Sequence, residues 1–109
     1  MSNEIPTKSR DVVKLRDMGQ CVRCGGGGSA WHHRRRRNVA DVHQHCPCNG
    51  VLLCTTCHTW VHAHPFEAKG KGFIVSAHEP SPWTIPVQAH FSRISLDCEG
   101  SYSYAGEIS

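Results

Sequence analysis

The sequence predicts a small α+β domain held together by bound metal, with a short C-terminal β appendage. Three observations predict it. The first is size: 109 residues with 39% hydrophobic and 7% aromatic content make one domain with a thin core. A chain of this length buries only roughly 60–65% of the surface it exposes when unfolded. The second is the 7 Cys and 9 His, since small domains short of core commonly add disulfides or a metal. The third is patterning: two helical segments and several short apolar runs divided by Gly, Pro and Ser.

This length excludes a doubly wound nucleotide-binding fold and a barrel enzyme. No apolar run approaches the ~20 residues that span a bilayer. The start, Met1 to Pro6, lacks the basic residues and apolar stretch of a secretory signal, which predicts a reducing, cytoplasmic setting. There, closely spaced cysteines read as metal ligands before disulfides, and an odd number of them argues against a closed disulfide set.

The elements follow in order. Residues 1–8 read as a flexible tail. Ser9 is the expected N-cap of a helix from Arg10 to Met18, with Val12, Leu15 and Met18 on one face and Gly19 as its stop. Cys21-Val22-Arg23-Cys24 and the glycines after it form a knuckle, and Ala30 to His33 a short strand. Asn38 to Gly50 is a polar loop. Val51 to Leu53 is a short strand or helix lead-in, and Cys54 to His64 is a helix that Pro65 ends. Residues 9–66 form the main unit. Residues 67–109 form a β-rich extension packed on it, with strands at Gly72 to Val75, Pro86 to His90 and Arg93 to Leu96 and a frayed end after Glu99-Gly100.

Cys21, Cys24, Cys54 and Cys57 form two Cys-x2-Cys knuckles about 30 residues apart, the ligand set of a closed structural Zn²⁺. A rival set puts Cys46 and Cys48 in place of one pair, although Pro47 stiffens that spacing. Cys98 reads as a small core residue.

His58 and His62 are four apart in the expected helix and so share a face. His32 would complete a three-imidazole site with open positions. Neighbours on a strand point to opposite sides, so His32 and His33 serve different roles: if one binds metal, the other is free to act as a base. An Asn such as Asn49 can accept the proton on the base's Nδ1 and fix its tautomer. His43 and His45 read as solvated loop residues that could alternatively replace a ligand or contact phosphate.

This set, Cys-x2-Cys, His-His, Asn, Cys-x2-Cys-His-x3-His, resembles the HNH endonucleases with their ββα-metal, treble-clef-like fold. The resemblance covers Cys21 to Pro65. The steps of nine from Asn49 to His58 and four to His62 match those of the DNase colicins. The knuckles and the stretch from Asn49 to His62 are similar to small zinc-knuckle HNH proteins of actinobacterial phages, a likeness that continues through Leu96-Asp97-Cys98-Glu99-Gly100.

The resemblance implies a DNA endonuclease leaving 5′-phosphate and 3′-hydroxyl ends, with His33 as general base and Asn49 orienting it. His32, His58 and His62 would hold one catalytic divalent ion (Mg²⁺, Mn²⁺, Ni²⁺ or Zn²⁺), beside the structural Zn²⁺. A His at the position of His32, where many members have Asp, suits the softer ions. The setting implied is the cytoplasm of a bacterial host, with a phage terminase as partner in DNA packaging.

The net charge of +3 is only mildly basic, but Arg34, Arg35, Arg36 and Arg37 are consecutive. They read as a DNA phosphate clamp, alternating in direction if the run is a strand. Lys8, Arg10, Lys14 and Arg16 read as helix-surface charge. Trp31, Trp60 and Phe66 read as core around the metal sites, and Trp83 lies in a Pro-rich turn. With no separate recognition module, weak sequence specificity on double-stranded DNA and action as a monomer or weak dimer are expected. A non-catalytic zinc module binding DNA or protein is the rival reading.

Overall fold

Helix α1 (Thr7–Arg16) begins two residues before the expected cap, because Pro6 takes the N-cap position and Ser9 lies inside the helix. The computed structural model describes residues 5–36, 41–79 and 81–105. Residues 1–4 of the expected tail, Arg37, residues 38–40 of the polar loop and residues 106–109 lie outside the described residues.

The buried face of α1 differs from the expected one. Leu15 is 81% exposed and Met18 73% exposed, whereas Val13 and Arg16 are buried. The helix docks through a polar anchor. Arg16 donates to Pro47 O at 2.8 Å and Gly50 O at 2.7 Å and pairs with Asp17 at 2.8 Å. Asp17 in turn accepts from Leu52 N at 3.0 Å. Arg16 is therefore not surface charge.

Strands β1 (Ala30–His33) and β2 (Gly50–Leu53) pair antiparallel, with His33 opposite Gly50 and His32 opposite Val51. Gly50 is required here, because a Cβ on it would sit 2.0 Å from the Trp31 ring. Helix α2 (Thr55–Ala63) follows directly, capped by the Cys54 thiol, which accepts from Cys57 N at 3.3 Å. Pro65 ends α2 as expected but also opens α3 (Pro65–Gly70), where its missing N–H is harmless. Phe66, an expected core residue, is 89% exposed at that start.

The last third forms a second antiparallel sheet of β3 (Val87–Gln88), β4 (Arg93–Leu96) and β5 (Tyr102–Tyr104), in that order. Strand β5 occupies Tyr102–Tyr104 of the stretch expected to be frayed. The expected strand at Gly72 to Val75 is a turn that leads to a single bridge between Arg35 and Val75. Gly72 has φ +82°, and a Cβ there would lie 1.9 Å from Pro86 O. Gly72→Ala is therefore expected to cost more than about 2 kcal/mol, read as a lowered thermal midpoint.

The result is a small mixed helix and sheet domain. One apolar cluster, including Val22, Val51, Leu53, Val61, Phe73, Val87, Ile94 and Leu96, draws on residues from both sides of residue 66. Among the described residues, no helix is long and apolar enough to cross a membrane.

Candidate metal centres

Among the described residues, three groups of side chains each bring their ligand atoms within 4.8 Å of one another. The first is Cys21, Cys24, Cys54 and Cys57. Around a tetrahedral zinc with Zn–S of about 2.3 Å, neighbouring sulfurs stand about 3.8 Å apart. Cys24 Sγ and Cys54 Sγ stand 3.8 Å apart.

Local backbone builds this geometry. Cys21 N donates to Gly26 O at 2.6 Å and Gly25 N to Cys21 O at 2.8 Å, folding the first knuckle back on itself. Gly25 supplies the φ of +83° that this needs. Gly26 N donates to Cys24 Sγ at 3.4 Å. Arg23 Nη1 reaches Cys57 Sγ at 3.4 Å while its guanidinium lies 3.7 Å over the Trp60 ring. That positive charge offsets the negative charge a four-thiolate site concentrates. The Cys54 thiol is drawn down to about 7, chiefly by the Cys57 N–H, whereas burial pushes Cys57 up to about 12. The donor set is compatible with a structural metal such as zinc.

The second group is His32, His58 and His62. His58 Nε2 and His62 Nε2 are 3.3 Å apart, matching the separation of about 3.3 Å between two nitrogens on a tetrahedral zinc. The His32 ring faces both, with centroids at 5.2 and 5.8 Å. Its Nε2 lies 2.7 Å from Phe73 O. A carbonyl only accepts, so Nε2 carries the proton and Nδ1 presents its lone pair. A metal-binding His commonly has its other N–H fixed in this way. Burial lowers the His32 pKa to about 4, keeping the ring neutral and ready to ligate. The Phe73 carbonyl comes from the C-terminal third, and no sequence signal pointed to it.

His33 projects from the other side of the ribbon, as the strand alternation predicts. It packs against Trp31 with ring centroids 4.5 Å apart, and its Nε2 lies 3.2 Å from His45 Nδ1. His45, expected as a solvated loop residue, is thus a direct neighbour of the candidate base. Asn49 is fully buried. Its Oδ1 accepts from Arg35 N at 2.7 Å, and its amide donates to Arg35 O and Gln44 O, each at 3.2 Å. Asn49 thereby joins the backbone just after His33 to the backbone just before His45.

The third group is His43, Cys46, Cys48 and Cys98. Cys98 is exposed, which corrects its reading as core. Cys46 and Cys48 do not compete for the four-cysteine site; they build a cluster of their own. Cys48 Sγ donates to Cys46 Sγ at 3.2 Å, which draws the Cys46 thiol down to about 5 and pushes Cys48 up. Cys98 Sγ lies 3.9 Å from His43 Nδ1, and the His43 ring in turn lies tilted against Trp83 with centroids 4.9 Å apart.

The arginine run is the largest correction. The strand ends at His33, and Arg34 is 1% exposed. Its guanidinium donates to Gly72 O at 2.8 Å, Cys48 O at 2.7 Å, Pro82 O at 3.2 Å and also Ile85 O. Burial lowers its pKa to about 10, so it stays charged at neutral pH. Arg35 is buried too, forked onto Asp41 with both contacts at 2.8 Å. Neither is available to phosphate; of the described arginines in the run, Arg36 is exposed. Arg34→Ala would orphan several buried carbonyls and is expected to cost about 3–5 kcal/mol, whereas Arg36→Ala should stay within about 0.5 kcal/mol. Chemical denaturation of both variants checks this contrast.

No protein-family model matches the chain, and neither does any curated protein or solved structure.

Proposed function

We propose that this chain is a metal-dependent endonuclease of the HNH type that hydrolyses DNA phosphodiester bonds. The observation that carries this reading is the convergence of His32, His58 and His62 on one point, with His33 the next residue after His32 at the end of β1. A structural zinc module has no use for a second, three-imidazole cluster whose ligand number leaves positions open. The first part of the chain that holds it runs β1, β2, α2, the element order the HNH resemblance implies.

His32 holds its proton on Nε2 and offers Nδ1; His58 and His62 offer Nε2 from one face of α2. A divalent ion bound there would stabilise the negative charge that develops on the non-bridging phosphoryl oxygens and on the leaving 3′-oxygen. His33 takes the proton of the attacking water, with the neighbouring His45 imidazole sharing its hydrogen bonding. Asn49 orients the base through the backbone, its Oδ1 accepting from Arg35 N and its amide donating to Arg35 O and Gln44 O on the two histidine-bearing segments. Products carry 5′-phosphate and 3′-hydroxyl.

With Arg34 and Arg35 spent inside the fold, phosphate contact among the described residues of the run is left to Arg36, joined by exposed basic residues such as Lys8, Arg10 and Lys14 of α1, and binding is strongly salt-dependent. Weak specificity and a phage terminase as the partner that brings DNA to the site follow from the same reading.

Supercoiled plasmid incubated with the purified protein tests it. Nicking should vanish with EDTA, return with Mg²⁺, Mn²⁺, Ni²⁺ or Zn²⁺, and be lost in a His58→Ala/His62→Ala double variant. Folded, zinc-loaded protein that cuts with none of these ions would overturn the nuclease and leave a zinc-stabilised binding module.

A further inference from the structure

We propose that His43, Cys46, Cys48 and Cys98 bind a second structural zinc ion, which cross-links the loop of residues 41–48 to the turn between β4 and β5. Three thiols and one imidazole from segments about 50 residues apart place their ligand atoms within 4.8 Å of one another. This is a complete four-ligand set of the Cys3His type, with no position left for water, as in closed structural sites. Soft thiolates select zinc over magnesium or calcium.

Two separations lie within about 0.6 Å of what such a site needs, one short and one long. Around tetrahedral zinc, two sulfurs stand about 3.8 Å apart and a sulfur and a nitrogen about 3.5 Å apart. The cluster shows 3.2 Å for Cys46 with Cys48 and 3.9 Å for Cys98 with His43.

Both segments are already folded to present these atoms. On the loop, His43 N donates to Asp41 Oδ1 at 2.9 Å, Cys46 N to His43 O at 3.0 Å and Asn49 N to Cys46 O at 2.9 Å. In the turn, Asp97 Oδ1 accepts from Glu99 N and Ser101 N, both at 2.9 Å, which sets Cys98 at the tip.

The ion would do specific work. The loop it fastens carries His45, whose Nδ1 is 3.2 Å from His33 Nε2. Otherwise the loop is held by Asp41 on Arg35, by Gln44 O and Cys48 O accepting from Asn49 and Arg34, and by burial of Cys48, while Val42 at its start is 90% exposed. A zinc crosslink to the turn between β4 and β5 would add a long-range constraint to these contacts.

The test counts metal and thiolates in the full chain. A His58→Ala/His62→Ala background removes the imidazole site from the count. Dialysed against a mild chelator, that protein should retain two zinc ions by mass spectrometry, and addition of Cys98→Ser should reduce this to one with an unchanged circular dichroism spectrum. Reconstituted with Co²⁺, the parent should show thiolate-to-cobalt absorption from seven sulfurs and the Cys98→Ser protein from four, a fall of about two fifths.

One zinc ion in the parent, or two retained after Cys98→Ser, would overturn the proposal. Should Cys98→Ser fail to fold, alkylation of the unmutated chain decides. Cys98, though exposed, should resist iodoacetamide until zinc is stripped, and its prompt modification in zinc-loaded protein would equally refute the site. None of these readouts uses DNA cleavage, so this proposal and the nuclease reading can fail separately.

Discussion

Replacing Cys54 by Ser is expected to release the ion held by the four-cysteine site and to unfold the domain. Three losses coincide at this position. The Sγ is one of four ligands, and a serine hydroxyl is a poor replacement for a thiolate on zinc. The same sulfur caps α2 by accepting from Cys57 N at 3.3 Å, and that helix carries His58 and His62. The site also joins the segment after α1 to the start of α2, with Cys24 and Cys54 in contact at 3.8 Å. Zinc binding at such sites contributes about 10–16 kcal/mol to folding, as much as the whole stability of an ordinary domain at about 5–15 kcal/mol. Thermal unfolding followed by circular dichroism, with zinc quantified beside it, reads both effects. A folded Cys54→Ser protein that keeps a full complement of zinc would show that the four-cysteine site is not what holds this fold.

His33→Ala is expected to lower the rate of plasmid nicking by about 10²–10⁴-fold, the usual loss when a general base is removed. The fold should survive it. His33 is half-buried at the end of β1, packs against Trp31 and His45, and is not a member of the apolar cluster. Zinc content and unfolding midpoint should therefore match the unmutated chain, which separates a chemical defect from a folding defect. A variant that nicks within about threefold of the parent would exclude His33 as the base, and His45, the imidazole against it, would be the next to test.

Much of the molecule was legible because its signals are local. The bounds of β1 and β4 follow from strand alternation and turn residues, and Cys54 to His64 reads as a helix because its punctuation is on the surface of the sequence. The four-cysteine grouping and the shared face of His58 and His62 depend on fixed short spacings. What escaped depends on partners far along the chain. Arg34 reads as a phosphate clamp and Arg16 as surface charge until the carbonyls that receive them are in place, and backbone carbonyls leave no mark in a sequence. The buried face of α1 escapes for the same reason: hydrophobic periodicity selects Leu15, but the Arg16 guanidinium makes the deeper contact. Cys98 was read as core because its cluster closes across about 50 residues, a distance over which cysteine spacing predicts nothing.

The four carbonyls that hold Arg34 belong to Cys48, Gly72, Pro82 and Ile85, and Arg34 follows His33 directly. A fragment ending at residue 66 would carry every residue of the four-cysteine and three-histidine groups. It would lack three of those four acceptors and the Phe73 carbonyl that orients His32. Counting ligands therefore overstates what can be cut away. The smallest piece able to present the histidines in this arrangement extends at least to Ile85, so excising the motif-bearing half for grafting elsewhere would transfer the residues without their alignment.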